Sequence, residues 1–243
     1  MRVEKENAFI LHQRAYSETS SIFDIFSQNF GRFSLIAKGI KKQNSSKGSV
    51  LQQFQPLLLS WAGKSDLKTL TAAEPNSDSF VMMPGSMYCG FYINELIIRL
   101  LHQHDPHPEL FIYYKDTLKQ LGQGVSEKVL RLFEKYLLIE IGYGVILDHD
   151  VNNNKIDENK DYYYVPESGP VKTDEEKQDA VKIKGKSLIA FANEKLDDKD
   201  VLADIKNLMR VLLQIQLGDK PLQSRKLMNN FISLSRQPRD MKK

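Results

Sequence analysis

The hydrophobic pattern of this 243-residue chain changes period once, and that change limits the fold more than any other feature of the sequence. Residues 7–74 hold short apolar-rich runs separated by turn signals such as "QNFGR" and "AGKSD", a pattern typical of a small all-β domain. After Pro84 and Gly85 the apolar residues return at intervals of three and four, as they do on one face of a helix. Strands followed by helices predict an α+β chain with more than one domain.

The apolar runs of the first part predict a small closed barrel of five strands. They read "AFILHQRAY", "SSIFDIFSQ", "GRFSLIAKG", "FQPLLLSWAG" and "LKTLTAAE". Five short strands fit the OB-fold, a barrel whose strand faces and loops bind oligonucleotides. A half-sandwich or an SH3-like barrel would give the same pattern, so the number of strands leaves these alternatives open.

The helical part is predicted to be interrupted by an insertion. Helices are expected in "SMYCGFYINELIIRLLHQ", "PELFIYYKDTLKQLG", "SEKVLRLFEKYLLIEIGYG", "DKDVLADIKNLMRVLLQIQLG" and "SRKLMNNFISL". Ser126 is expected to cap the third helix, and Asp197 or Asp198 the fourth. Between these two lies an acidic, loop-rich segment in which "DYYYVPESGPVKT" indicates a hairpin. The predicted domains are an OB-fold domain over 1–80, a helical domain over 81–147 and 185–243, and an acidic insertion over 148–184.

Charge is distributed in blocks, although the net charge is only +3. Residues 31–70 carry seven Lys or Arg against one acid, and residues 218–243 carry seven against two. Residues 148–180 carry ten acids against four lysines. Two basic regions that flank an acidic one predict a polyanionic partner.

The composition also excludes several classes of protein. No run approaches the roughly 18 uncharged apolar residues of a membrane span, and the first residues lack the basic-then-apolar order of a signal peptide. Cys89 is the single cysteine, so neither an intrachain disulfide nor a thiolate metal site is expected. These features predict a cytoplasmic protein.

Catalytic and metal motifs are missing or broken. The chain lacks a nucleophile elbow, a zinc-protease motif and a P-loop. Three histidines cluster in residues 102–107, but prolines break the spacing of a compact metal site, which favours a solvated connection. Residues 148–159 resemble a calcium loop in which Asn153 replaces the glycine and Asn159 the final glutamate, so an acidic surface loop is predicted. No metal, cofactor or catalytic residue is expected.

The basic block at the third strand is the clearest functional signal in the residues themselves. Its cations lie on that strand and the following loop, close to an earlier arginine: Arg32, Lys38, Lys41, Lys42, Lys47 and Arg14. In an OB-type barrel these parts form the groove for single strands, and phosphates bound there release counterions. Trp61, beside Lys64, is read either as a stacking platform or as a core residue, whereas Phe33 and Phe54 are expected in the core.

Several segments together resemble the RecO family of bacterial DNA-repair and recombination mediators. They are "AFILHQRAYSETSSIFDIFSQNFGRFSLIAKGIKK", "FYINELIIRLL", "EIGYGV" and "GDKPLQSRKL", and they occur in the family's order from about Ala8 to Phe231. The resemblance implies an OB domain followed by a helical domain. Many members carry four zinc-binding cysteines where this chain has "LDHDVNNNKIDENKDYYYVPESG", so the resemblance implies no zinc here and an insertion without fixed structure.

The resemblance further implies a protein that is not an enzyme. The family binds single- and double-stranded DNA, anneals complementary strands and, with RecR, assists RecA loading onto DNA coated by single-stranded-DNA-binding protein (SSB). A cytoplasmic, nucleoid-associated location follows. The expected DNA-binding residues are Arg14, Arg32, Lys38, Lys41, Lys42, Lys47, Lys64, Lys68, Lys220, Arg225 and Lys226. Arg225 is read alternatively as an internal brace of the last helix.

The family also binds the acidic, Phe-terminated tail of SSB on its helical domain. Such a tail needs an apolar pocket and a cationic lip. The residues expected to provide them are Phe111, Tyr114, Arg131, Leu132 and Lys135. The alternative for Arg131 is a structural ion pair with Glu127 or Glu134.

A second function is considered beside the mediator. The chain could be an adaptor that recruits SSB-type acidic tails, with only incidental DNA contact. A nuclease is disfavoured because Asp24 and Asp66 are isolated acids in the basic domain.

Overall fold

The structure, a computed structural model, describes residues 1–40, 46–78, 80–172 and 180–227, with the backbone alone described at residues 46 and 47. The strands are β1 (Arg2–Ala15), β2 (Ser21–Ser27), β3 (Gly31–Ala37), β4 (Leu57–Ala62), β5 (Leu67–Pro75), β6 (Asp161–Val165), β7 (Gly169–Val171) and β8 (Val181–Lys184). The helices are α1 (Ser46–Val50), α2 (Pro84–Leu100), α3 (Pro108–Gly122), α4 (Glu127–Glu140), α5 (Gly185–Ala192) and α6 (Lys199–Leu217). Residues 223–227 are also helical.

The first five strands close into a barrel in the order β1-β2-β3-β5-β4. Neighbours are antiparallel except β3 and β5, which run parallel with Ser34 opposite Leu67. This confirms the predicted OB-type barrel and decides against the half-sandwich. The short helix α1 between β3 and β4 was not predicted, because five residues are too few to reveal a helical period.

The barrel interior is filled by alternate residues of its strands. Ile10, Phe23, Phe33, Leu59 and Trp61 are all at most 2% exposed and belong to one apolar cluster. Period-two alternation places every second side chain inside a closed barrel. Each such large side chain contributes about 1.5–3 kcal/mol when it leaves water.

The outer face of the barrel is also buried where α3 covers it. Phe9 and Phe26 alternate with interior residues and pack against the rings of Phe111 and Tyr114, with centroids 5.1–5.8 Å apart. Strand β2 therefore has buried residues on both faces.

Helix α2 is joined to its surroundings by buried polar groups. The Asn94 side-chain amide donates to the Leu11 carbonyl at 2.8 Å, and the Tyr114 hydroxyl donates to Asn94 Oδ1 at 2.5 Å. The Glu95 carboxylate accepts from the backbone amides of Gln223 and Ser224. These two amides open the last helix, so Glu95 acts as its cap.

The structure groups the chain into two compact units whose limits differ from the predicted domains. The barrel unit comprises Met1–Val125 and the chain from Lys220, and the helical unit comprises Ser126–Asp219. Helices α2 and α3 thus join the barrel unit. The physical reason is the aromatic contact between α3 and the outer face of the barrel, which the sequence pattern did not reveal.

The helical unit contains α4, α5, α6 and a small sheet of order β7-β6-β8. The Ser126 side chain accepts from Val129 N, and Asp198 accepts from the amides of Asp200 and Val201, as the predicted caps require. Strands β6 and β7 form the predicted hairpin. The described part of the insertion therefore contains a folded sheet. Its hairpin was predicted from the sequence, but the expectation of a segment without fixed structure does not hold there. No helix among the described residues has the length and apolarity to cross a membrane.

Candidate nucleic-acid interface

Two of the predicted DNA-binding cations lie near the same end of the barrel. Arg14 is close to the end of β1, and Lys38 directly follows β3; both are exposed. Their neighbours Ala15 and Ala37 pair with Ser21 from opposite sides. Since adjacent strands are about 4.8 Å apart, the backbones at Ala15 and Ala37 are about 10 Å apart.

An exposed aromatic ring lies beside this pair. Tyr16 follows Arg14 by two residues in the turn between β1 and β2, and it is 61% exposed. A ring of this kind offers a face on which a base can stack next to cations that hold phosphates. We call Arg14, Tyr16 and Lys38 the barrel-end patch.

Lys64 occupies a second loop of the barrel. It is exposed in the turn between β4 and β5. Because β5 starts opposite Ser34 in the middle of β3, Lys64 is displaced from Lys38 toward the opposite end of that strand. OB barrels bind nucleic acid with the loops between strands 1 and 2 and between strands 4 and 5. Arg14 and Lys64 lie at these two loops.

Two predicted DNA-binding cations instead donate hydrogen bonds to backbone carbonyls of the barrel unit. The Arg32 Nε and Nη2 atoms both donate to the Leu101 carbonyl, at 3.2 and 3.1 Å. Burial lowers the pKa of Arg32, and nearby Asp24 opposes this effect. Lys68 Nζ donates to the Ser65 carbonyl at 2.6 Å. Their DNA-binding roles stay predictions, and these hydrogen bonds weigh against them.

The C-terminal cations divide in the same way. Lys220 and Lys226 are exposed. The Arg225 guanidinium lies over the Tyr92 ring, 5.9 Å from its centroid. This contact fits the alternative reading of Arg225 as an internal brace. The Ser224 hydroxyl and backbone amide both donate to Glu95, at 2.6 and 2.8 Å.

The remaining predicted cations are not placed. Lys41 and Lys42 lie outside the described residues, and the Lys47 side chain is not described. Of the two readings of Trp61, the structure selects the core: its side chain is 1% exposed and packs edge-on against Phe30.

The predicted SSB-tail residues fall in both units. Phe111 and Tyr114 belong to the barrel unit, where they are 4% and 0% exposed and contact Phe9 and Phe26. Burial raises the pKa of the Tyr114 hydroxyl. Tyr114 lies in the interior, whereas Phe111 forms part of the wall of a cavity of about 210 Å³ that also contains Phe9, Ile112 and Lys115.

Arg131, Leu132 and Lys135 belong to the helical unit on α4. Arg131 Nη2 is 2.7 Å from Glu134 Oε1, and these side chains are 9% and 0% exposed. This is one of the two ion pairs named as the alternative for Arg131. Lys135 Nζ is 3.2 Å from Glu194 Oε1, and Leu132 is half-buried. Tail binding by these residues stays a prediction.

The calcium-like loop is organised by its own hydrogen bonds. Asp150 is buried, and its carboxylate accepts from the backbone amides of Asn152 and Asn154 and from the Asn154 side chain. Hydrogen bonds from Asn154 are the main cause of the lowered pKa of Asp150. In the described parts of the chain, no group of three or more His, Cys, Asp or Glu is arranged to hold a metal.

Sequence reasoning missed the roles of Asn94 and Glu95. Their hydrogen bonds connect α2 to β1 and to the last helix within the barrel unit. Both residues belong to the "YINEL" segment on which the resemblance partly rested. The available signal was an Asn and a Glu within a largely apolar stretch of the helix, because a polar group that becomes buried there, as Asn94 does, needs a partner.

The architecture defines a class of protein, an OB-type barrel followed by a helical region. Comparison with known families agrees along most of the chain. The model described as "Recombination protein O N terminal" matches residues 1–77, and the one described as "Recombination protein O C terminal" matches residues 84–226. The chain therefore belongs to the RecO family.

Individual relatives support the same assignment. The chain is 42% identical over 233 residues to the DNA repair protein RecO of Nitrosococcus oceani, covering 95% of each chain. It is 42% identical over 230 residues to that of Coxiella burnetii, covering 93% of this chain and 98% of the relative. It is 37% identical over 234 residues to that of Aromatoleum aromaticum, covering 96% and 98%. Family membership supports a role in DNA repair.

Proposed function

We propose that this chain is a recombination mediator that binds single- and double-stranded DNA and anneals complementary strands. With RecR, it assists the loading of RecA onto SSB-coated single-stranded DNA. It acts without catalysis of its own, in the cytoplasm at the nucleoid. Membership of the RecO family supports this proposal, and so does the presence of exposed cations at both nucleic-acid-binding loops of an OB barrel.

The observation that carries the proposal is the state of these cations. The side chains of Arg14, Lys38 and Lys64 have no ion pair or hydrogen bond with another described residue. They can therefore meet phosphates without first leaving a carboxylate. A surface of this kind screens two DNA strands at once and lowers their mutual repulsion, so annealing needs no nucleotide hydrolysis.

The adaptor function receives less support from the geometry. Phe111 and Tyr114 are largely buried and Leu132 is half-buried. Arg131 and Lys135 are paired with carboxylates. We therefore place DNA contact first and tail recruitment second within the same mediator.

A triple charge reversal tests the DNA surface. Arg14→Glu with Lys38→Glu and Lys64→Glu should remove up to three phosphate contacts. The slope of log affinity for single-stranded DNA against log salt should then fall by about 2, and annealing of complementary oligonucleotides should slow markedly. The matched control reverses one exposed arginine and two exposed lysines of the helical unit: Arg210→Glu with Lys155→Glu and Lys195→Glu.

Two results bear directly on this assignment. If the control reversal reduces annealing as much as the barrel reversal, net charge and not the barrel surface drives binding. RecA filament formation on SSB-coated DNA, measured by the rate of ATP hydrolysis by RecA, should require both this chain and RecR. Equal filament rates without the chain would remove the mediator role.

A further inference from the structure

An open groove lies at one end of the helical unit and plays no part in the proposed DNA binding. It has a volume of about 460 Å³. The ends of α4 and α6, the loop after α4 and the turn between β6 and β7 form its walls. Its lining includes Leu138, Tyr143, Tyr164, Glu167, Leu212 and Ile215.

The groove has an apolar floor and exposed apolar edges. Leu138 and Leu212 are buried, whereas Tyr143 is 45% and Ile215 48% exposed. The Tyr164 hydroxyl is used internally, because it accepts from Ile146 N at 3.0 Å. Adjacent exposed apolar groups around a concave surface often mark a binding site, whereas single exposed apolar residues are common on any protein surface.

The charges around the groove select the sign of its occupant. Glu167 is the only ionised side chain in the described lining. Helices α4 and α6 both end here, and the C-terminal end of a helix carries partial negative charge. A cation beside the exposed ring of Tyr143 would also gain a cation–π contact. A carboxylate would meet repulsion from each of these features.

The charge of the whole unit points the same way. Residues 126–219 carry 14 Lys or Arg against 19 Asp or Glu, a net charge of −5. This field attracts a basic segment before contact is made.

We propose that this groove binds a peptide segment of a partner protein that combines an aliphatic anchor with Arg or Lys. The aliphatic side chain packs on Leu212 and Ile215, and the cation lies between Tyr143 and Glu167. This site is separate from the DNA surface of the barrel unit and would serve a partner with a basic tail or linker.

Three fluorescein-labelled nine-residue peptides test the proposal on the full-length protein. The first has two arginines flanked by leucines, the second has two glutamates in place of the arginines, and the third has serines in place of the leucines. Fluorescence anisotropy should give the tightest binding for the first peptide, with weaker binding as salt rises. Equal or tighter binding of the glutamate peptide would overturn the proposal, as would no binding of the first peptide.

Variants locate the binding on the protein. Tyr143→Ala and Glu167→Gln should each weaken the first peptide by about two- to fivefold, and Ile215→Ser by about five- to tenfold. Glu158→Gln is the matched control, because it makes the same change beyond the opposite end of β6. Circular dichroism should report unchanged folding in all four variants. Unchanged affinity in the three groove variants would overturn the proposal.

A second copy of this chain is the competing occupant. Sedimentation of the protein alone should show no association that depends on the groove. Self-association lost in Ile215→Ser would overturn the assignment to a separate partner.

Discussion

Among the described residues, a larger share of the basic residues is paired with carboxylates in the helical unit than in the barrel unit. By sequence, residues 1–125 with 220–243 carry 20 Lys or Arg against 12 Asp or Glu, a net charge of +8, whereas residues 126–219 have a net charge of −5. In the helical unit, Lys128, Lys186 and Lys206 each lie within 2.9 Å of a carboxylate. In the barrel unit, Arg14 and Lys38 have no such partner among the described residues.

The difference teaches that a count of cations does not locate a phosphate-binding surface. Exposed ion pairs contribute only about 0–1 kcal/mol to stability, so their main effect in the helical unit is to neutralise its surface. An unpaired cation at a strand end can turn toward a phosphate without first breaking an ion pair. Pairing and exposure, rather than density in the sequence, show which cations have no carboxylate to leave before they meet a phosphate.

The largest expected effect comes from the buried pair of the helical unit. Glu134→Ala removes the carboxylate that neutralises Arg131, a side chain only 9% exposed. Removing one partner of a buried pair leaves an uncompensated charge, so the free energy of unfolding should fall by about 3–5 kcal/mol. Urea denaturation followed by circular dichroism measures this change.

The matched control is an exposed pair of the same unit. Lys128→Ala breaks the ion pair with Asp197, whose side chain is 82% exposed, and should cost less than about 1 kcal/mol. A loss below 1 kcal/mol for Glu134→Ala would mean that Arg131 does not depend on this pair. The structural role of Arg131 would then be unsupported, and its predicted role in binding the SSB tail would gain support.

A medium effect on the free energy of unfolding is expected at Arg32, which is an exception among the cations of the barrel unit. This cation belongs to the basic barrel unit but is used internally, as a double donor to the Leu101 carbonyl. Hydrogen bonds from charged groups are worth about 1.5–3 kcal/mol, so Arg32→Ala should lower the free energy of unfolding by that amount. Affinity for single-stranded DNA should change little at a temperature where the variant is folded.

Lys64→Ala provides the reverse case in the same unit. It should leave stability within about 0.5 kcal/mol and reduce the salt dependence of DNA binding. If Arg32→Ala weakens DNA binding more than Lys64→Ala while remaining folded, Arg32 contacts phosphate after all.

The barrel was predictable from the sequence because its signal is local. Each strand shows its period over a few residues, and turns such as "QNFGR" separate the strands. In that turn, Gly31 has a φ of +65°, and a Cβ there would lie 2.0 Å from the Asp105 carbonyl oxygen. That close approach joins residues far apart in sequence, and no local pattern reveals it.

The limits of the site could not be predicted for a similar reason. Arg14, Arg32 and Arg131 are alike in a linear reading, yet one is exposed, one donates to a carbonyl and one is paired in the interior. What separates them is the partner that tertiary packing supplies. Likewise, Phe111 and Tyr114 are residue types that are common in peptide-binding pockets, but their rings pack against the outer face of the barrel.

The smallest expected effect is a pH dependence at Glu194 in the helical unit. Burial alone would raise the pKa of Glu194, but hydrogen bonds from Tyr136 and Lys135 lower it overall. A carboxylate with a lowered folded-state pKa adds stability above its unfolded value near 4.5, and that stability is lost as the pH falls through the folded-state pKa. Glu194→Gln should therefore cost stability at pH 6, by no more than about 1 kcal/mol because the side chain is 37% exposed.

The difference between the parent chain and Glu194→Gln should shrink toward zero by pH 3, as urea denaturation at each pH would measure. Glu158→Gln, at an exposed glutamate of the same unit, is the control and should give a much smaller difference at pH 6. A difference for Glu194→Gln that stays constant from pH 6 to pH 3 would mean that the charge of Glu194 does not stabilise the fold. Lys135 would then be held by the Phe191 carbonyl, 3.2 Å from its Nζ, and the contrast between paired and unpaired cations would rest on the other pairs of the helical unit.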